Sequence, residues 1–325
     1  MNLKEQLLRW YHLNHRKLPF RETHDPYHIW ISEIMAQQTQ IDTMIPYYQK
    51  WLERFPTIAS VAEADEMDIL KAWEGLGYYR RVRNIQSAAK IIQHLFNGQF
   101  PTEYSDVLSL PGIGEYTAGA ICSIAYNTPV VAIDGNVIRV ITRLFGISDD
   151  VGKKTTIESI KSRIIPYLDD NNNRYLTQAW MEMGALVCTP KQPKCKDCPL
   201  KEHCYANKHV LQSVLPNVAK KVKQKTEEYD VFLNYNTEVI NVSYDDSDGL
   251  MKGMIRLPQM PKEKRIVEPD LILKHVYSHK IWILNVYVNQ FQCDKTRDMI
   301  HIKEIKKVPM ITAHKRILTL LLESD

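Results

Sequence analysis

No apolar run in this 325-residue chain is long enough to cross a bilayer. The longest, TAGAICSIAY, is about half of the roughly 20 residues that a spanning helix needs. The N-terminal stretch MNLKEQLLRWYHLNHRK mixes charged with apolar positions and has no uninterrupted apolar core, so it lacks the form of a signal peptide. A large net charge is missing as well: 42 Lys and Arg against 38 Asp and Glu leave +4, which permits a nucleic-acid partner without demanding one. No repeat period is visible. Together these absences lead to the expectation of a cytoplasmic globular protein with no membrane partner, and its length to two domains.

What is present divides the chain in two. From the start to about Cys204 the segments LKEQLLRWYHL, YHIWISEIMAQQTQIDTMI, DEMDILKAWEGL, RRVRNIQSAAKIIQHLF, EYTAGAICSIAY and NVIRVITRLFGI carry apolar residues at three- and four-residue spacing. Breakers such as FPT, EGLGYY and NGQFPT separate them. Then LPNVAKKVKQKTEEYD, polar and lysine-rich, reads as a linker. Beyond it, YDVFLNYNTEVINVSY and LILKHVYSHKIWILNVYV read as strands and AHKRILTLLLE as a closing helix. This predicts a helical domain over residues 1–214, a linker over 215–228 and an α+β domain over 229–325.

Disulfides are not expected of six cysteines in such a chain. Cys122 and Cys293 stand alone and read as small core residues. Cys188, Cys195, Cys198 and Cys204 are spaced C-x6-C-x2-C-x5-C, close enough for four soft thiolates to hold an iron–sulfur cluster or a zinc ion. Zinc sites usually pair two short knuckles and only one is present here, so the spacing favours a cluster while leaving both open. Lys191, Lys194, Lys196 and Lys201 lie among these cysteines, where they could meet phosphates or simply solvate the loop. Upstream, LPGIGEYTAGAI places Gly112 and Gly114 before a small, apolar run, which alone marks only a turn and a helix start.

The cysteine spacing, LPGIG and VAIDGNVIRV follow one another in this order within about ninety residues. In that combination the chain resembles the helix–hairpin–helix DNA glycosylases with an iron–sulfur cluster, and within them the adenine DNA glycosylases of the MutY type. WISEIMAQQTQIDTMIPYY, KAWEGLGYYRRVRNI and GALVCTP are similar to that family's segments too, so the likeness is dense from about residue 16 to 204 and looser afterwards. The resemblance implies a [4Fe-4S] cluster on the four cysteines of loop 188–204 and double-stranded DNA as partner. It further implies a monomeric bacterial enzyme, associated with the nucleoid, that removes adenine mispaired with 8-oxoguanine or guanine. Release of another mismatched base, such as thymine opposite guanine, is the alternative.

Site residues follow from the same likeness. Glu33 matches the general acid that protonates adenine at N7, a role that needs a raised pKa, whereas a lone Glu on an amphipathic helix is ordinarily solvated. Asp134 matches the carboxylate that stabilises the sugar cation, and its place before GNVIRVITRLF is also that of a helix N-cap. Asn136 matches an asparagine that orients these groups and the attacking water. Tyr116 stands where the related endonuclease III enzymes carry a Schiff-base lysine; a phenol cannot form one, so no efficient AP lyase activity is expected. Arg16 and Gln178 match residues lining the adenine pocket, where Phe20 replaces the family's usual tryptophan. Gln38 and Tyr78 match residues that wedge into the duplex, although Tyr78 also suits a core aromatic. Gly112 and Gly114 match the hairpin whose N–H groups approach a phosphate.

The resemblance implies that the C-terminal region is a Nudix-like domain that recognises 8-oxoguanine. No Nudix box is present, so pyrophosphohydrolysis is not expected. The lesion-reading loop of the family matches Tyr277, Ser278 and His279, in a stretch that also reads as a plain polar turn. The segment GMIRLPQM departs from the family pattern.

Overall fold

A computed structural model describes residues 2–219, 224–244, 253–263, 267–277, 280–291 and 298–322. Packing divides the chain into two compact units, one of residues 1–62 with 87–220, the other of 63–86 with 221–325. Among the described residues no helix is long and apolar enough to cross a membrane.

The first unit is helical, and its helices begin where the sequence supplies caps. Asn2 and Glu5 form a reciprocal capping box at the head of Leu3–Asn14. Asp25 accepts from the N–H groups of Tyr27 and His28, with Pro26 in the first turn of Pro26–Ala36. That helix buries Ile29, Trp30, Ile31, Ile34 and Met35, so it runs through the core. Helix Glu115–Tyr126, buried from Thr117 to Ala125, packs against both Pro26–Ala36 and Asn173–Glu182. Cys122 is fully buried within it, as expected; Cys293 lies outside the described residues.

The sequence pattern that runs on from Tyr27 to Ile45 is two helices, Pro26–Ala36 and Ile41–Arg54. Between them Gln38 has φ 59°, a left-handed value that an α-helix cannot accommodate. Helices Tyr104–Ser109 and Glu115–Tyr126 flank the glycine turn. Gly112 has φ 79°, which favours glycine, and a Cβ placed on Gly114 would meet nothing within 4 Å.

The second unit holds the strands. These are β1 (Lys225–Leu233), β2 (Val239–Val242), β3 (Gln259–Pro261), β4 (Leu271–Val276), β5 (Lys280–Val288) and β6 (Asp298–His301). One sheet has the order β3-β1-β5-β4, with β1 and β5 parallel and the outer pairs antiparallel; β2 and β6 form a separate antiparallel pair. Val231, Leu233, Leu284 and Val286 supply the buried face. The closing helix is Thr312–Leu322, where His314 Nδ1 accepts the Leu257 N–H at 2.9 Å.

Two boundaries differ from the sequence pattern. β1 begins at Lys225, inside the stretch expected as linker, because its first residues are charged and exposed while their backbone pairs with β5 from Lys280 onward. Segment 63–86 groups with the strands and not with the other helices. Its helix Glu66–Ala72 buries Ile69 and Leu70, and Glu74 accepts from Lys71 at 2.7 Å, Lys315 at 2.9 Å and the Met310 N–H at 3.3 Å.

Candidate active site

A cavity of about 410 Å³ in the helical unit is lined by Arg16, Phe20, Arg21, Glu33, Gln38, Tyr116, Asp134, Asn136 and Glu182, among others. Glu33 sits on the largely apolar helix Pro26–Ala36, part-buried in the cavity wall. The Tyr116 hydroxyl, one residue into the neighbouring helix, donates to Glu33 Oε2 at 2.5 Å. Burial pushes the Glu33 carboxyl up to about 7; the Tyr116 hydrogen bond opposes this, the Asp134 charge adds to it and Arg21 opposes it again. Burial, with the Glu33 and Asp134 charges, also raises the Tyr116 phenol well above its ordinary value.

Asp134 is the N-cap of helix Gly135–Phe145. Its Oδ1 accepts the Val137 N–H at 2.7 Å and its Oδ2 the Asn136 amide at 2.7 Å. Burial raises this carboxyl too, while those hydrogen bonds pull it down. Because both oxygens act as acceptors, the surroundings suit the ionised form. One turn along, Arg139 donates to Asn136 Oδ1 at 2.7 Å and to the carbonyls of Gly184 and Cys188 at 2.9 and 2.7 Å. Gly184, in the π-helical turn Met183–Val187, lies so near that a Cβ there would stand 2.5 Å from Asn136 Cβ.

Of the residues singled out in the sequence, Arg16, Glu33, Gln38, Tyr116, Asp134 and Asn136 meet at this cavity. Gln178 is not among its lining residues; it is 3 % exposed, and its Oε1 accepts from the Tyr11 hydroxyl at 3.1 Å. One turn further on, Glu182 reaches the cavity instead. Gly112 and Gly114 lie in the hairpin, away from the cavity lining. Tyr78 belongs to the second unit, with φ 48° and 42 % exposure. Ser278 and His279 fall outside the described residues; beside them, the Tyr277 N–H donates to the Lys280 carbonyl at 2.8 Å between β4 and β5. Sequence reasoning missed Arg21, Glu182 and Arg139. Helical spacing was the available signal for two of them, since Glu182 is four residues from Gln178 and Arg139 three from Asn136.

Cys188, Cys195, Cys198 and Cys204 line one small cavity together with Arg143 and Gln212. Among the described residues no three His, Cys, Asp or Glu side chains converge as they would on a single ion. Arg143 is 2 % exposed, and its guanidinium donates to the Cys188 sulfur at 3.4 Å and to the carbonyls of Thr189, Pro190, Gln212 and Leu215. No carboxylate is among these partners. Burial pushes the free Cys198 thiol up to about 11, so as a neutral thiol it brings no charge to this buried cation.

Residues 31–166 match the HhH-GPD superfamily of base excision DNA repair proteins. The adenine DNA glycosylase of Buchnera aphidicola subsp. Baizongia pistaciae is 36% identical over 299 residues, which cover 88% of this chain and 84% of that protein. That of Buchnera aphidicola subsp. Schizaphis graminum is 44% identical over 203 residues, covering 62% and 58%. The human adenine DNA glycosylase is 37% identical over 218 residues, covering 64% of this chain and 40% of the human protein. Among solved structures, a thermostable thymine-DNA glycosylase shares the fold with a TM-score of 0.58 at 23% identity, covering 63% of this chain and 95% of its own. A trapped endonuclease III–DNA covalent intermediate does so with a TM-score of 0.55 at 21% identity, covering 65% and 100%.

Proposed function

Because this chain belongs to the adenine DNA glycosylase family, we propose that it hydrolyses the N-glycosidic bond of adenine lying opposite 8-oxoguanine or guanine in duplex DNA. Adenine removal as the opening step of base excision repair comes with family membership. The mispaired partner and the residue roles are our reading. The observation that carries it is Glu33, a carboxyl in a cavity wall that keeps its proton to about pH 7.

The target adenine leaves the base stack to enter the cavity. Glu33 acts as general acid toward adenine N7, with Oε2 taken by Tyr116 and Oε1 left for the base. As the bond breaks, positive charge builds at C1′, and ionised Asp134 stabilises it. Asn136, steadied by Arg139, orients Asp134 and the water that completes hydrolysis. Tyr116 offers a phenol where strand cleavage would need an amine, so the product is an intact abasic strand. Arg16 binds at the base pocket, and the buried Gln178 lies one helical turn from that pocket's Glu182. Gly112 and Gly114 bring N–H groups to a phosphate, while Gln38 and Tyr78 address the partner base.

The four cysteines hold a [4Fe-4S] cluster. Their shared cavity and the buried Arg143 cation support an anionic metal–thiolate centre there. Bound, the cluster supplies negative charge and a four-point cross-link for loop 188–204, whose lysines face DNA phosphates. The strand-bearing region is a Nudix-like reader of the lesion through Ser278 and His279, joined by a linker within 215–228. The protein acts as a monomer on nucleoid DNA in the bacterial cytoplasm.

The test presents duplexes with adenine opposite 8-oxoguanine, adenine opposite guanine and thymine opposite guanine, each with and without alkali. Breaks at adenine that need alkali are expected in the first two. Breakage without alkali would overturn the water-only mechanism, and release of thymine would overturn the substrate.

A further inference from the structure

We infer that Glu182 is a positioning residue for base release: its carboxylate pins the Arg16 and Arg21 guanidiniums at the cavity wall and offsets their charge in front of Glu33. This rests on Glu33 being the general acid, as proposed above.

Glu182 has no exposed side-chain surface. Its Oε1 accepts from Arg16 Nη2 at 2.5 Å and Nε at 3.1 Å, and lies 2.8 Å from Arg21 Nη1. Its Oε2 accepts the Arg16 backbone N–H at 3.0 Å. One buried carboxylate therefore fixes two cations and the chain that carries them. Burial alone would raise it, but the Arg16 hydrogen bonds and the two arginine charges hold it below the ordinary glutamate range. It is therefore ionised at neutral pH.

Three groups act directly on Glu33, and a fourth shares its cavity. Tyr116 reaches it from helix Glu115–Tyr126, Asp134 from the cap of Gly135–Phe145, and Arg21 from the 3-10 turn Pro19–Arg21. Arg16 lines the same cavity. Unopposed, two arginines would favour the Glu33 carboxylate and drain the proton that adenine must receive. Glu182 cancels one of the two charges and prevents Arg21 from swinging onto Glu33. Asp134 lacks such a cation among its direct hydrogen-bond donors, which are Val137 and Asn136.

The experiment measures single-turnover adenine release against pH for the full chain, with wild type, Glu182→Gln and Arg21→Gln. In wild type the rate falls as Glu33 loses its proton. Removing the Glu182 charge should move that midpoint down by about half a pH unit or more, and removing the Arg21 charge should move it up. Glu182→Asp, which keeps the charge, should recover the wild-type midpoint even at a reduced rate. A role in folding alone would lower the rate at every pH with an unmoved midpoint, and that result overturns the inference. Should Glu182→Gln fail to fold, Arg21→Gln still decides: an unmoved midpoint there overturns it equally. A wild-type alkaline limb that persists in Glu33→Gln would instead refute Glu33 as the acid, an outcome separate from both.

Discussion

A carboxyl that burial pushes up to about 7 ties the stability of the fold to pH and, in the proposed mechanism, ties the rate to it as well. Glu33 carries this property on a helix that buries Ile29, Trp30, Ile31, Ile34 and Met35 in the core. Glu33→Gln should slow adenine release by about 10²–10⁴-fold in single turnover, while duplex affinity measured by anisotropy stays within a few-fold. The folded state binds this proton more tightly than the unfolded chain. Its contribution is therefore fully present below the ordinary glutamate pKa and is lost as pH rises toward 7. The melting temperature of Glu33→Gln should accordingly gain on wild type as pH climbs through that window, as thermal scans would read. Asp134→Asn should abolish release yet leave the helix capped, because asparagine offers the same acceptor to the Val137 N–H. Retained turnover would remove Asp134 from the chemistry. At this scale the family likeness located Glu33, Tyr116, Asp134 and Asn136, which do share one cavity. It missed Glu182 and Arg21, since nothing local in a sequence tells a pocket carboxylate and arginine from a surface ion pair.

Elements bring those residues to one place, and two of them meet almost without clearance. Gly184 gives the turn Met183–Val187 its contact with Asn136, where a Cβ would also come within 2.9 Å of the Asn136 backbone. Gly184→Ala should cost about 1–3 kcal/mol by denaturant unfolding through overpacking. It should also cut the release rate about tenfold or more, because Asn136 would be displaced from Asp134. A loss of stability with an unchanged rate would show that Asn136 need not stay where it is. Elements with clear apolar periodicity, and the cap at Asp134, were legible because both act locally, whereas helices Lys154–Ile164 and Asn173–Glu182 were not read. The break at Gln38 was not, since a polar run looks the same on a helix surface as in a left-handed turn. The start of β1 was missed for a similar reason: Lys225 and Thr226 are exposed, and only pairing with β5 makes them a strand.

Over the whole molecule, the cysteine loop and the segment 63–86 are the features that tie distant parts of the sequence together. Purified protein should be yellow-brown with about four irons per chain, and stoichiometric zinc would refute the cluster. Glu74→Ala should lower stability by about 1–3 kcal/mol, since it strips Lys71, Lys315 and the Met310 N–H of a shared acceptor. Burial would raise Glu74, but hydrogen bonds from Lys71 and Lys315 hold it below the ordinary value. Its contribution is thus present above that value and is lost in acid, so the gap between variant and wild type should close as pH falls. Sequence alone could not show this grouping, because contacts between residues so far apart leave no local pattern. The order of synthesis gives it a further consequence. Residues 63–86 are made before 87–220, and at roughly 5–20 residues per second the intervening stretch takes on the order of ten seconds. Throughout it Lys71 and Glu74 wait for Val308, Met310 and Lys315, which do not yet exist. A nascent chain therefore carries the Glu74 carboxylate early without its later donors, and a message truncated ahead of codon 221 yields a chain in which Glu74 never meets Lys315 or the Met310 N–H.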